Sequence, residues 1–228
     1  MSNPYDESPL NPLPMVVILL AGTIFAIEMI FQLGERGLIG GPTAVGWRLS
    51  AMTDYAFSGD VLDQMIARNL WPTEHLIRFV TYPFINGSFS QAIFVIVFIL
   101  ALGKMVGEIF SGVAVLVIFF GSAIMGALVY GLALNDPYPL VGGFPAAYGL
   151  IGAYSFVHWV RLKITGEPVS QAFTLIAFLM GIQLIFGLLF GGSNDWVADL
   201  TGFVTGFALS FVVRPGGWAH LMGLLRQR

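Results

Sequence analysis

The 228-residue chain contains no cysteine. Disulfides, thiolate nucleophiles and cysteine-ligated metal sites are therefore excluded. Charge is nearly as scarce. Asp, Glu, Lys and Arg make up 10% of the residues, against 57% hydrophobic ones. A water-soluble domain carries about 25% charged residues. With a mean hydropathy of +0.82, the sequence reads as a polytopic membrane protein. A net charge of −3 argues against nucleic acid as a partner. The three histidines, His75, His158 and His220, are scattered. No H-E-x-x-H or equivalent cluster forms, so neither a metal nor a cofactor is expected. His158, beside Arg161, reads as an interfacial residue. The G-x-G-D motif of aspartyl intramembrane proteases is also missing.

What is present is a series of long apolar runs. A spanning helix needs about 20 mostly apolar residues. Six segments qualify: Leu13–Phe31, Phe79–Leu102, Ile109–Leu134, Phe144–Val160, Ala172–Phe190 and Trp196–Val213. A bilayer leaves the backbone of an open chain no way to satisfy its polar groups except as helix. The expected fold is all-α, a six-helix membrane bundle over residues 13–213. A polar tail (1–12) precedes it, and a basic tail (214–228) follows. The first 14 residues are acidic and Pro-rich, without the basic region of a signal peptide, so the first apolar segment is expected to be retained. Lys104, Arg161, Lys163, Arg214, Arg226 and Arg228 fall in alternate loops and the C-terminal tail. The positive-inside rule then puts both termini in the cytoplasm. A bacterial inner membrane is the expected location.

The first loop, about residues 32–76, is long for a compact bundle. It mixes Trp47, Arg48, Tyr55, Asp60, Asp63, Arg68 and Trp71, and Met65, Ile66 and Leu70 fall at helical spacing. A segment lying in the interface plane, with tryptophan at headgroup level, fits that mixture. It serves either as an ordered cover over the bundle or as a partner-contacting surface.

Three motifs stand out in the spans. Gly142-Gly143-Phe144-Pro145-Ala146-Ala147-Tyr148-Gly149-Leu150-Ile151-Gly152-Ala153 places small residues at the start of the fourth. Leu102-Gly103, followed by Glu108, opens the third. Ala198-Asp199-Leu200-Thr201-Gly202, with Gly206 four residues on, lies in the sixth. Small residues at such spacing let helices approach closely. Together these resemble the rhomboid intramembrane serine proteases, whose patterns read G-x-S-G-A-x-Y-G-L-x-G-A, L-G-x-x-x-x-E and A-H-x-x-G-x-x-x-G. Arg78 and Thr81 also match the family's W-R segment, while Ile77 replaces its tryptophan. The resemblance runs from about Trp47 to Val213 and implies packing or structural roles for Arg78, Glu108, Tyr148, Gly149, Gly152, Gly202 and Gly206. For Glu108 it implies a tie near the cytoplasmic side.

The reactive positions depart from the family. The resemblance puts Phe144 where the nucleophilic serine stands and Asp199 where the histidine stands. The family's H-x-x-x-x-H-x-x-x-N falls on Asn86, Gln91 and Val95. Acyl transfer needs a nucleophile, a base and donors for the oxyanion, and all five positions have changed. Phe144 reads as a plug of the old site. Asp199 is expected to bond Asn86 or Gln91 as a polar anchor, or else to handle protons or contact a client, and Glu28 is open to the same readings. The implied function is that of inactive rhomboids and derlins: an adaptor or regulator that binds transmembrane segments or membrane clients, surrounded by lipid. The binding face would lie between the second and fifth spans, where Phe173, Phe178, Gln183, Phe186 and Phe190 fall. An active hydrolase using Ser88 or Ser90 is the alternative, and a channel or transporter a further one.

Overall fold

The computed structural model describes residues 13–134 and 136–214, apart from the side chain of Phe190. The two tails expected at 1–12 and 215–228, with His220, Arg226 and Arg228, lie outside the described residues. Among the described residues ten α-helices follow in order. They are α1 (Met15–Glu35), α2 (Trp47–Tyr55), α3 (Gly59–Arg68), α4 (Thr73–Leu76), α5 (Arg78–Thr81), α6 (Phe89–Ile109), α7 (Gly112–Ala133), α8 (Phe144–Thr165), α9 (Thr174–Phe190) and α10 (Trp196–Val213). The protein is an all-α membrane bundle, with no strand among the described residues. Its only sheet-like element there is the antiparallel pair of Phe57 and Leu140.

Among the described residues five segments are long and apolar enough to cross a membrane: α1, α6, α7, Val169–Leu189 and α10. The sixth long helix, α8, has 22 residues but lacks their hydropathy. From Pro145 to Ala153 every residue of α8 is buried, so this stretch meets other helices rather than lipid; the later half, with Ser155, His158, Arg161 and Lys163, lowers the hydropathy of the whole helix.

The second expected span is corrected at its start. Its helix begins at Phe89, not at Phe79. Pro83 sits in a 3₁₀ turn at Tyr82–Phe84, and proline inside a helix removes a backbone donor and clashes with the preceding turn. The Ser88 side chain then caps α6 by accepting from the Gln91 N–H at 3.2 Å. Ser111 caps α7 in the same way, accepting from Ala114 N–H at 3.1 Å. At the other end, α8 runs past Val160 to Thr165 and stops at Gly166 (φ +76°), the left-handed C-terminal residue that glycine adopts without penalty.

The core is built on the contact between α8 and α10. A Cβ added at Gly202 would overlap the Pro145 carbonyl oxygen, and one at Gly206 would overlap that of Gly149. At Gly152 it would overlap the Phe203 carbonyl oxygen. Helix backbones touch there directly. The first loop is a cover made of α2 to α5. Helix α3 buries Gly59, Leu62 and Met65, one stripe that docks on the end of α7 at Gly131. Ile66 and Leu70, expected on the same face, are exposed. The Phe57–Leu140 pair ties the cover to the segment before α8, with Leu140 N–H donating to Phe57 O at 2.8 Å and Phe57 N–H to Leu140 O at 3.2 Å.

Candidate functional site

The cover is pinned by charge. The Arg48 guanidinium on α2 forks onto Glu28 of α1, with Nη2 2.7 Å from Oε1 and Nη1 2.9 Å from Oε2. Its Nε meets Glu35 Oε1 at 2.7 Å, and Nη1 also donates to the Asn86 carbonyl at 2.8 Å. Glu28 is 1% exposed. Bidentate charge-assisted contacts of this kind are the strong ones. Glu28 is thus a polar anchor. Its partner lies 20 residues away across the loop, beyond any local spacing rule. The signal was the scarcity of charge itself: an acid inside a span demands a cation. Arg78 adds a second tie by donating from Nη1 to the Ala56 carbonyl at 3.1 Å. Glu108 corrects its expectation. It lies with Leu102 and Gly103 in the last turns of α6, not at the opening of the third span, and among the described residues its ion-pair partner is Lys104 of the same helix, at 3.9 Å.

The segment before α8 is where Asn86, Gln91 and Val95 converge. Gly142 has φ +90°, and a Cβ there would run into the Gln91 amide and lie 3.1 Å from Asn86 Oδ1. A Cβ on Gly143 would lie 2.7 Å from Val95 Cγ1. The Gln91 amide is engaged on both sides. Its Oε1 accepts from Gly87 N–H at 2.9 Å, and its Nε2 donates to the Val141 carbonyl at 3.2 Å. The Asn86 amide is buried with no hydrogen-bond partner among the described residues. Val95 is fully buried and has no polar side-chain atom.

Asp199 bonds neither Asn86 nor Gln91, which corrects the sequence expectation. Those two side chains crowd the backbone at Gly142, whereas Asp199 faces α9. The Tyr148 hydroxyl on α8 donates to Gln183 Oε1 at 3.2 Å, and Gln183 Nε2 donates to Asp199 Oδ2 at 2.8 Å. One chain of hydrogen bonds thereby stitches α8, α9 and α10. Asp199 is 2% exposed, and its other oxygen, Oδ1, is buried without a partner among the described residues. Gln183, expected at the face between the second and fifth spans, makes this link while lining the cleft there. Two further acids stand near the start of α10. Asp136 accepts from Tyr138 N–H at 3.0 Å and from Asn194 Nδ2 at 2.8 Å. The Tyr138 N–H leads in holding the Asp136 carboxyl below the ordinary carboxylate range. Asp195 accepts from Ser193 Oγ at 2.7 Å, and burial pushes its carboxyl up.

Beside this relay, α6, α8 and α9 leave a cleft of about 310 Å³. Phe94 and Phe98 form one wall, with Leu179 and Ile182 opposite. Phe144, Tyr148, Gln183 and Asp199 complete it. Phe144, expected as a plug, lines the cleft with a half-buried ring, and space remains beside it. No serine, threonine, cysteine or histidine lines the cleft. Ser88 is spent on the α6 cap and Ser90 is exposed. Helix α9 is held by one stripe, with Ile176 and Met180 buried and Gln183 half-buried one turn on. Phe178 and Phe186 are 63% and 59% exposed. Phe173 instead packs inward on Phe207 and Phe203, at centroid distances of 5.7 and 6.4 Å.

Comparison with known proteins places this geometry. The Rhomboid domain family matches residues 73–216. Rhomboid-like protease 3 of Toxoplasma gondii is 31% identical over 138 residues, covering 59% of this chain and 50% of that protein. YdcA of Bacillus subtilis (strain 168), named as a candidate rhomboid protease, is 29% identical over 142 residues, covering 59% of this chain and 66% of its own. The alignments thus span about half to two thirds of the length of the curated relatives. The family match begins in the cover at α4, takes in the α8–α10 contact and the cleft, and extends past the end of α10; the chain belongs to the rhomboid family.

Proposed function

We propose that this rhomboid domain binds a transmembrane segment of a client membrane protein along the cleft between α6 and α9, without cleaving it. The reading makes it a pseudoprotease that acts as an adaptor or regulator. One observation carries it: among the described residues, the lining of the cleft includes no serine, threonine or cysteine to act as the nucleophile of a serine-type reaction and no histidine to act as its base. The resemblance assigns the nucleophile's place to Phe144 and the base's to Asp199, and both line that cleft. The site carries the functional reading, since a fold alone hosts more than one activity. Phe178 and Phe186, on the outward side of α9, and Phe190 are the residues proposed to meet the client. Gly149, Gly152, Gly202 and Gly206 keep the α8–α10 frame rigid behind it.

The test is chemical. Purified protein in detergent and in vesicles is expected to show no labelling by fluorophosphonates and no cleavage of helical transmembrane substrates. Substituting Phe144→Ser, Pro145→Gly and Asp199→His together is expected to leave cleavage absent. Gln91 is held by Gly87 and Val141, and Val95 offers no donor. Loss of one oxyanion donor alone costs roughly 10²–10³ in rate. Robust cleavage by the unmodified protein would overturn the reading and direct attention to Ser88 and Ser90.

We further propose a bacterial inner-membrane location with both termini cytoplasmic. Lys104, Arg161, Lys163 and Arg214 support it by falling near the ends of α6, α8 and α10 that lie opposite the cover. A reporter fused after Val213 is expected to read as cytoplasmic, and one inserted within 46–70 as external. The same side for both would sink this topology.

A further inference from the structure

The cleft has a chemical character that client binding alone does not require. Asp199 is 2% exposed and lines the space, and its Oδ1 has no hydrogen-bond partner among the described residues. Four aromatic side chains line the same cleft: Phe94 and Phe98 from α6, Phe144 and Tyr148 from α8. Aromatic faces attract cations, the more so when water is excluded. Asp195 stands one turn away on the same helix, its carbonyl accepting the Asp199 N–H at 3.0 Å. Neither acid, nor Asp136, takes part in an ion pair among the described residues. An incompletely bonded carboxyl group among aromatic rings, with no cation partner among the described residues, gives the cleft an acceptor for a positive charge.

We infer that the cleft selects its client by a basic side chain, a lysine or arginine whose cation meets Asp199 Oδ1 among these rings. The inference rests on the client-binding reading above and specifies the client. Its depth follows from α10. Asp199 is three residues into that helix, about 4.5 Å from its start at 1.5 Å per residue. The basic residue therefore belongs about one turn into the client helix from the end near the cover. The volume of about 310 Å³ lies at the low end of small-ligand pockets, which run from about 300 to 1,000 Å³. That admits a side chain but not a helix. The client helix thus lies along the outer rim, where Phe94 and Ile182 are 61% and 40% exposed, and sends one side chain in. A lone basic residue at that depth is costly in lipid, as is a lone acid, and joining the two relieves both. The ammonium of a lipid headgroup shares this chemistry, but the lateral opening at Phe94 and Ile182 favours a helix-borne side chain.

The experiment places p-benzoylphenylalanine at Phe178, outside the cleft lining, in the full chain in phosphatidylglycerol nanodiscs. These carry no cationic headgroup. Four Leu/Ala peptide helices of about 21 residues differ at one position, one turn from the cover-side end, which carries lysine, acetyl-lysine, glutamine or leucine. The lysine peptide is expected to crosslink at least about tenfold more than the leucine peptide, with acetyl-lysine and glutamine close to leucine. In Asp199→Asn the lysine-to-leucine ratio is expected to fall to about one. Equal crosslinking of the lysine and leucine peptides by the unmodified protein would overturn the inference and leave the client-binding reading standing. No crosslinking of any peptide would remove both. Glutamine matching lysine would replace the cation with a neutral donor, and a lysine preference that survives Asp199→Asn would locate the selectivity elsewhere. Either result overturns the inference, as does selective displacement of the lysine peptide when phosphatidylethanolamine is added. If Asp199→Asn does not fold, the acetyl-lysine comparison in the unmodified protein decides alone.

Discussion

Replacing Arg48 with methionine is expected to lower stability by about 3–5 kcal/mol, the range for a buried ion pair that loses one partner. The size of the effect comes from what is left behind. Glu28 is 1% exposed and, among the described residues, would keep its carboxylate with only the Gln32 amide, 3.1 Å away, as donor. The Asn86 carbonyl would lose its Arg48 contact as well. The partner acids differ sharply. Glu35, with its side chain 35% exposed, belongs to the class of exposed pairs worth about 0–1 kcal/mol, so Glu35→Gln is expected to be nearly silent. Glu28→Gln combined with Arg48→Met is expected to recover part of the loss, because no buried charge then stays unpaired. Thermal unfolding in detergent, followed by tryptophan fluorescence, measures all four proteins. A midpoint for Arg48→Met equal to that of the parent would mean that the cover is not held by this pair.

The long apolar runs made the membrane bundle legible, because a bilayer permits so few alternatives to helix. The boundaries were less so. The run from Phe79 to Leu102 reads as one span by hydropathy, yet Pro83 and the Ser88 cap divide it, and the residues before Phe89 belong to the cover. Hydropathy reports solubility in lipid, not the point at which the backbone turns. Helix α8 shows the converse. His158, Arg161 and Lys163 lower its apparent fitness for lipid, while the glycines and alanines of its first half form the motif that identifies the closest helix contact.

At the site, the sequence named the residues but mispaired them. Asp199 was legible as unusual, since an acid four positions into a span needs a reason. That its reason is Gln183 depended on how α9 leans against α8 and α10, which no spacing along one helix encodes. Gln183 was singled out for the face between the second and fifth spans, where it does line the cleft, but its bridge from Tyr148 to Asp199 was not legible. Arg48 and Glu28 were each visible, but their partnership crosses the first loop. Phe144 was read as a plug because it is large. Only the positions of Phe94, Phe98 and Leu179 reveal that space remains beside it.

Gly206→Leu is expected to cost more than the roughly 1–3 kcal/mol of ordinary overpacking, leaving little or no folded protein. Overpacking is usually tolerated because neighbouring side chains rotate away. Here the added Cβ would overlap the Gly149 carbonyl and lie 2.6 Å from Gly149 Cα. Those are backbone atoms inside α8, and they can yield only if the helices part. Parting them also opens the contacts at Gly202 against Pro145 and Gly152 against Phe203, so the penalty is not confined to one position. Gly206→Ala, which adds the Cβ alone, is expected to destabilise nearly as strongly. Gly22 and Gly181 provide the contrast. Both lie within helices with nothing within 4 Å of an added Cβ. Alanine there removes the helix-interior penalty of glycine, worth roughly 0.5–1 kcal/mol, so the midpoint is expected to hold or rise slightly. Size-exclusion profiles after a temperature series in detergent would rank the four variants. If Gly206→Leu stayed folded with the melting midpoint of Gly181→Ala, helices α8 and α10 would have to be farther apart than their glycines place them, and the rigid frame behind the cleft would lose its physical basis.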